Sequence, residues 1–493
     1  MEAIHVTFDI GLLLPQILLA AGGLLLLMVS LLPRSERLQL PVALGTLAST
    51  MIVVASRWGE THELLGGMMV VDRFATGCSL LLLLVGILSC FISSGYLGHR
   101  YQSSAEYYSL ILFSILGMTV MTQAQNFVTL FLGLEIFSVC LYILCAFTWK
   151  RRQSLESALK YFLLGAFSSG FLLYGMALIY GAANSLDIKE IGLLMLQRQA
   201  DISMSMLAGM GLLVVGLAFK IGIVPFHFWI PDVYEGAPAS VTAFMSAGTK
   251  VAAFAALLRV LHVGLGSDEF ALRWAPLLGI LAAVTMTMAN VVALSQVNIK
   301  RLLAYSSIAH AGYLLLAVAT NTLQGLESLS FYLLAYVFAN LGAFAVAVAV
   351  GRGDEEKEEG YQLSDYAGLA RSRPGLAAAM TVFMLSLTGI PPTAGFLGKW
   401  FIFRSALDAD LMGLAIVLAV NSVIAAYYYL GVIVQMYMVE PETETTPPPR
   451  RMALSFTVAL GVVAVFYLGI FPGRALGFLT EMAQHFWGQI HLV

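Results

Sequence analysis

Fourteen apolar stretches of the length needed to cross a bilayer, roughly 20 residues each, recur along this 493-residue chain. They run near 10–32, 39–56, 74–96, 107–124, 127–148, 157–181, 203–224, 238–262, 274–295, 301–320, 326–351, 374–407, 411–438 and 452–472. In lipid each backbone N–H and C=O must be satisfied within its own segment or in a closed barrel, so runs of this length are helices. Only 11% of the residues are charged, against about 25% in soluble domains. The expected fold is therefore an all-α polytopic membrane protein of about fourteen transmembrane helices.

The loop charges orient the expected spans. Loops after odd-numbered spans hold Arg34, Arg37, Arg100, Lys150, Arg151, Arg152, Lys300, Arg301, Arg352, Lys357, Arg371, Arg373, Arg450 and Arg451. The other side holds Arg57, Arg73, Lys189, Arg198, Arg273 and Arg474. The positive-inside rule puts the odd loops in the cytoplasm and both termini on the non-cytoplasmic side. The first ten residues contain no Lys or Arg, unlike the basic start of a cleaved signal peptide, so the first run is expected to be a retained span. That favours a multi-pass protein of a bacterial inner membrane. A net charge of −3 gives no ground for a nucleic-acid partner.

Charge inside the spans is the informative exception. Lys220, Lys250, Lys399 and Glu135 stand within apolar runs, where ionisable groups are expensive and by default functional. Arg259 and Arg404 lie toward span ends, where their long stems can reach the interface, and Lys160 is near the start of its helix. Pro225 lacks an N–H and frees the carbonyl of Ile221; Pro391 and Pro392 do the same for Leu387 and Thr388. Burial favours the neutral form of an amine and a nearby carboxylate the charged form, so Glu135 moving relative to Lys220 would load or release a proton. A static ion pair that fixes packing is the alternative. His227, after the first break, and His310, within span 10, offer two-nitrogen proton relays or plain packing contacts. Lysines suit a proton line better than sodium, which takes oxygen ligands.

The segments around these residues repeat. Leu155-Glu156-Ser157 with Tyr161, Leu163 and Phe167 recurs as Leu326-Glu327-Ser328 with Tyr332, Leu334 and Phe338, and Gly222-Ile223-Val224-Pro225 is echoed by Gly389-Ile390-Pro391-Pro392. The copies are five spans apart, an odd number, so they sit inverted, as in transporters built on paired broken helices. The expected divisions are spans 1–3 (1–106), two five-helix repeats, spans 4–8 (107–262) and 9–13 (263–438), and a last span with the C-terminus (439–493).

The four cysteines, Cys78, Cys90, Cys140 and Cys145, show neither metal-ligand nor disulfide spacing. No phosphate-binding loop, dinucleotide fingerprint or haem motif occurs, so no cofactor or metal is expected in this chain. GDEEKEEG at 353–360 reads as a solvated loop and PETETTPPPR near 440–450 as an extended linker.

KIGIVPFHFWIPDVYEGAP, NIKRLLAYSSIAHAGYLLL and LTGIPPTAGFLGKW resemble the antiporter-like membrane subunits of respiratory NADH:quinone oxidoreductase (complex I), over nearly the whole chain. The resemblance implies that Glu135, Lys220, Lys250 and Lys399 are proton-channel residues, with Glu135/Lys220 as the switch, and Lys160 matches a basic residue of the family; His310, His227 and Lys160 are taken as auxiliary. It also implies a hetero-oligomer with a neighbouring antiporter-like subunit and small membrane subunits, with NADH, FMN, iron–sulfur clusters and quinone held by partners. Two other readings stay open: a subunit of a multi-subunit cation/proton antiporter or a related hydrogenase- or ferredoxin-type complex, and a membrane anchor with vestigial lysines. Drift to apolar residues would relieve the burial cost of such lysines, which counts against the anchor.

Overall fold

The computed structural model describes residues 11–32, 35–97, 104–197, 203–266, 268–351, 360–441 and 452–491. In chain order the elements are α1 (Leu14–Val29), α2 (Glu36–Ala55), a hairpin of β1 (His62–Leu64) and β2 (Met69–Val71), α3 (Arg73–Leu97), α4 (Ala105–Gln123), α5 (Phe127–Cys145), α6 (Arg152–Ala183) and α7 (Ile188–Gln197). Then come α8 (Met204–Ile221), α9 (Trp229–Gly236), α10 (Ala239–Leu258), α11 (Asp268–Ala293), α12 (Ile299–Ala319) and α13 (Leu323–Val350). The chain closes with α14 (Leu369–Ser372), α15 (Pro374–Thr388), α16 (Ala394–Asp408), α17 (Met412–Met438), α18 (Met452–Ile470) and α19 (Gly473–His491).

Among the described residues, twelve helices are long and apolar enough to cross a membrane, and α1 and α15 are shorter apolar helices. Run 39–56 corresponds to α2. Run 374–407 is divided into α15 and α16 at the expected break. The hairpin was not anticipated, although the Gly66-Gly67 turn, with both residues at positive φ, sits between its short strands and supplies the backbone freedom such a connection needs.

Burial runs from the centre outward. Every residue of α10 is buried, and α12 and α13 are nearly so. The sequence of α10 is rich in Ala, Ser, Gly and Thr, small residues that let surrounding backbones come close. The same logic joins α4 to α5, where a Cβ on Gly117 would lie 2.6 Å from the Phe137 nitrogen. The outer helices instead leave apolar side chains exposed, such as Leu132 and Ile136 on α5 and Phe162 and Phe167 on α6. That is the surface expected of a protein solvated by lipid.

Alternate connections gather on opposite faces. Met69 of β2 bridges Ala124, and Asn126 bridges Asp187, so the connections after α2, α4 and α6 share one face. Asn298, preceding α12, bridges Gln362 in a second group, which also holds Lys300 and Arg301. Residues 352–359 and 442–451, which include most of the acidic loop and the linker, lie outside the described residues.

One expectation fails at the first face. Arg259 does not snorkel: its side chain is 1% exposed and Nη2 donates to both carboxylate oxygens of the fully buried Asp72, at 3.0 and 2.9 Å. Nε donates to the Thr122 carbonyl at 2.8 Å, and the guanidinium lies over the rings of Phe74 and Phe486. Asp72, just before α3, sits at the depth of Arg259, so the arginine finds its counter-ion without reaching out. It opens a π-helical stretch, Arg259–Gly264, in which His262 is also buried. Arg404 does behave as expected, exposed and 3.8 Å from Asp408. Replacing Arg259 by Gln strands a buried carboxylate, which typically destabilises by about 3–5 kcal/mol. Thermal inactivation of membranes should then begin at lower temperature, and adding Asp72→Asn should recover part of the loss.

A line of buried lysines at two helix breaks

Each break begins with a glycine in the left-handed region, Gly222 at φ 87° and Gly389 at φ 89°. A side chain there would be strained, and at Gly389 a Cβ would lie 2.9 Å from Cδ of Lys399. These glycines end α8 and α15 and leave the last carbonyls unused by the helix. Lys250, from α10, donates to the Ile221 carbonyl at 3.1 Å, the group that Pro225 was expected to free. Lys399, from α16, donates to the Thr388 carbonyl at 2.9 Å. The C-terminal end of a helix carries about half a negative elementary charge, so each break supplies part of the counter-charge its lysine lacks.

Lys220 is held differently. Buried near the end of α8, its Nζ donates to Ser138 Oγ at 2.8 Å and to Tyr142 OH at 3.4 Å. The rings of Phe137, Tyr142, Tyr161 and Phe219 surround it, with centroids between 5.2 and 5.9 Å away, and aromatic faces attract a cation. Glu135, one turn before Ser138, forms no ion pair with Lys220; it is half-buried and accepts from Ser169 Oγ at 2.5 Å. Lys220 is thus held by Ser138 and Tyr142 and Glu135 by Ser169, with no ion pair between the two.

His310 links the two break lysines. It lies within electrostatic reach of both Lys250 and Lys399. Its Nδ1 is 2.5 Å from Tyr332 OH and its Nε2 3.1 Å from Tyr429 OH. On one side its ring meets Tyr336, whose hydroxyl donates to the Ser246 carbonyl on α10. On the other it meets Tyr313, over which the Lys399 ammonium sits at 4.7 Å. A buried imidazole with hydroxyls at both nitrogens is arranged to take a proton on one and release it from the other.

The remaining candidates lie off this line. His227 is buried in the turn after α8, with no hydrogen bond to any of the three lysines and no side-chain partner at Nδ1. Lys160 is 42% exposed and paired with Glu156 at 3.0 Å and Asp232 at 2.8 Å. Arg301 pairs with Asp232 at 3.0 Å and Glu235 at 2.7 Å, and Lys300 donates to the carbonyls of Glu235 and Ala237. Partial burial would raise the Asp232 carboxyl, but Lys160 and Arg301 outweigh it and hold the group below its ordinary value. Sequence reasoning missed Ser138, Tyr142 and the tyrosines around His310. The available signal was tyrosine at membrane depth, since this residue usually marks the interface. Among the described residues no group of three His, Cys, Asp or Glu could hold a metal ion.

A helical membrane protein with lysines seated on two broken helices defines the class of antiporter-like ion translocators. Residues 124–425 match the family model described as NADH:quinone oxidoreductase/Mrp antiporter, TM, and the chain belongs to this family. It is 43% identical over 484 residues to NADH-quinone oxidoreductase subunit N of Trichlorobacter lovleyi, covering 97% of this chain and 98% of that one. It is 42% identical to the subunit N of Chloroflexus aggregans, covering 94% and 95%. Among solved structures, a chain of respiratory complex I from Thermus thermophilus superposes with a TM-score of 0.80 at 36% identity, over 94% of this chain and 98% of that one. A chain of the Mrp complex from Dietzia sp. shares the fold at 22% identity, with a TM-score of 0.85 over 97% and 98%.

Proposed function

We propose that this chain is the proton-translocating, non-redox membrane subunit N of NADH:quinone oxidoreductase, moving protons through Lys220, Lys250, His310 and Lys399 while quinone is reduced elsewhere in the complex. The observation that carries the mechanism is the seating of Lys250 and Lys399 on the carbonyls of two helix breaks, which lets each hold a proton with no carboxylate beside it. Glu135, held by Ser169 rather than paired with Lys220, is the switch: its approach favours the ammonium and its withdrawal favours release. Partner subunits hold NADH, FMN, the iron–sulfur clusters and quinone. The partners in the membrane are the neighbouring antiporter-like subunit and the small membrane subunits of a bacterial inner-membrane complex. The basic face carrying Lys160, Lys300 and Arg301 is cytoplasmic, and both termini lie opposite. The two five-helix repeats, 107–262 and 263–438, form the paired half-channels.

An affinity tag on this chain provides the test. Purification in mild detergent should bring down NADH oxidation together with flavin and iron–sulfur absorbance. Recovery of the chain in a complex without redox absorbance, with sodium–proton exchange after reconstitution, would move it to the Mrp branch of the family.

A further inference from the structure

A polar cavity opens on the basic face between α6 and α9. Its volume is about 220 Å3 and its lining includes Gln153, Glu156, Lys160, Asp232 and Glu235. Lys220 lies inward of it, but a flat aromatic layer intervenes. Tyr161, next to Lys160 in α6, stacks on Trp229 of α9 with centroids 4.5 Å apart and planes 10° from parallel. Trp229 continues onto Phe219, at 5.3 Å, and its Nε1 donates to the Phe219 carbonyl at 3.0 Å. The inner face of the layer is the Tyr161 ring, 5.2 Å from the Lys220 ammonium. The Tyr161 hydroxyl is buried and has no hydrogen-bond partner among the described residues, so none of them pins that ring by a polar contact, and a water entering the layer would satisfy the group.

The polar contacts sit on the far side, one helical turn along α9. Asp232, three residues after Trp229, is tied to Lys160 on α6 and to Arg301 on α12. These pairs set the position of α9 against α6, and therefore the overlap of Trp229 with Tyr161. All three partners are about one-third or more exposed, and ion pairs in that setting are weak and exchangeable. Such a latch can be released repeatedly.

We propose that this cavity is the antechamber from which Lys220 is loaded, with the Tyr161–Trp229 stack as its gate and Asp232 as the positioning residue that holds the gate shut. The proposal rests on the reading that Lys220 takes its proton from the cytoplasmic side. With the stack closed, Lys220 is sealed from the cavity. With α9 displaced, water reaches it past the Tyr161 hydroxyl. A gate here stops a proton on Lys220 from running back while the line beyond it is occupied.

The test reads access rather than pumping, so it is independent of whether the whole complex turns over. Lys220→Cys is introduced, and inside-out vesicles of the intact complex are treated with 2-(trimethylammonium)ethyl methanethiosulfonate, with labelling at position 220 followed by peptide mass. With the native stack, labelling should be slow. Trp229→Ala should speed it at least tenfold, Trp229→Phe should keep it slow, and Asp232→Asn should speed it several-fold. Asp232→Asn is a conservative change at a partly exposed site, so it remains informative if Trp229→Ala fails to assemble. Equal rates with Asp232→Asn and with the native pair, or faster labelling in right-side-out vesicles, would overturn the gate. The affinity-tag experiment would be unaffected by that result, so failure of the gate and failure of the functional assignment are separate outcomes.

Discussion

Lys220→Met should abolish the share of proton pumping carried by this chain while the complex still assembles and oxidises NADH. Proton transfer by a positioned side chain is worth about 10²–10⁴-fold, and methionine leaves Ser138 and Tyr142 without the ammonium they hold. The more telling variant is Lys220→Arg. It keeps the positive charge among the same aromatic rings, but a guanidinium does not release its proton in proteins. If Lys220 is a carrier, both variants lose pumping. If it is only a fixed charge that organises the helices around it, Arg should restore what Met removes. Protons moved per electron, measured in proteoliposomes with an entrapped pH dye, separate the two.

The second large effect is expected at Lys399→Met. This lysine sits on the Thr388 carbonyl at the end of α15 and over the Tyr313 ring, the last of the three lysines along the line that passes His310. Without it, a proton delivered to His310 has no onward ammonium site. Flux through the chain should drop by about 10²-fold or more, by the same measure of acid–base catalysis. Stability should change much less, because methionine fills a similar volume and an isosteric apolar replacement removes the desolvation cost of the ammonium. Heating membranes and following the chain by native gel checks the second half of the statement. A normal proton-to-electron ratio in Lys399→Met would show that protons leave the line before α16.

The architecture was legible because lipid forces it. Long apolar runs and glycine–proline breaks are local signals, and the runs fall on helices, with 374–407 divided at its break. The carbonyl of Ile221, singled out only because Pro225 follows four residues later, is the one that Lys250 occupies. What sequence did not disclose is pairing across helices. Arg259 and Asp72 are 187 positions apart, and neither stands mid-span, so no local pattern betrays their ion pair. Glu135 and Lys220 stand out in sequence because both are charged within apolar runs; that Ser138 and Tyr142 hold the lysine while Ser169 holds the glutamate has no local signal. Five buried tyrosines of α12, α13 and α17, Tyr313, Tyr332, Tyr336, Tyr428 and Tyr429, look like ordinary aromatic packing until the fold gathers them.

The carbonyl seats of Lys250 and Lys399 have one more implication. A carboxylate counter-ion can be protonated, and a proton arriving beside it then leaves the site electrically neutral. A backbone dipole cannot be titrated away, and it offsets only part of a full charge. Each proton on this line therefore arrives as a net positive charge, and two neighbouring occupants repel through a medium that screens them poorly. Such a line works as a turnstile: it admits one passenger, holds back the next until the first has gone, and so hands charge across the membrane in units of one.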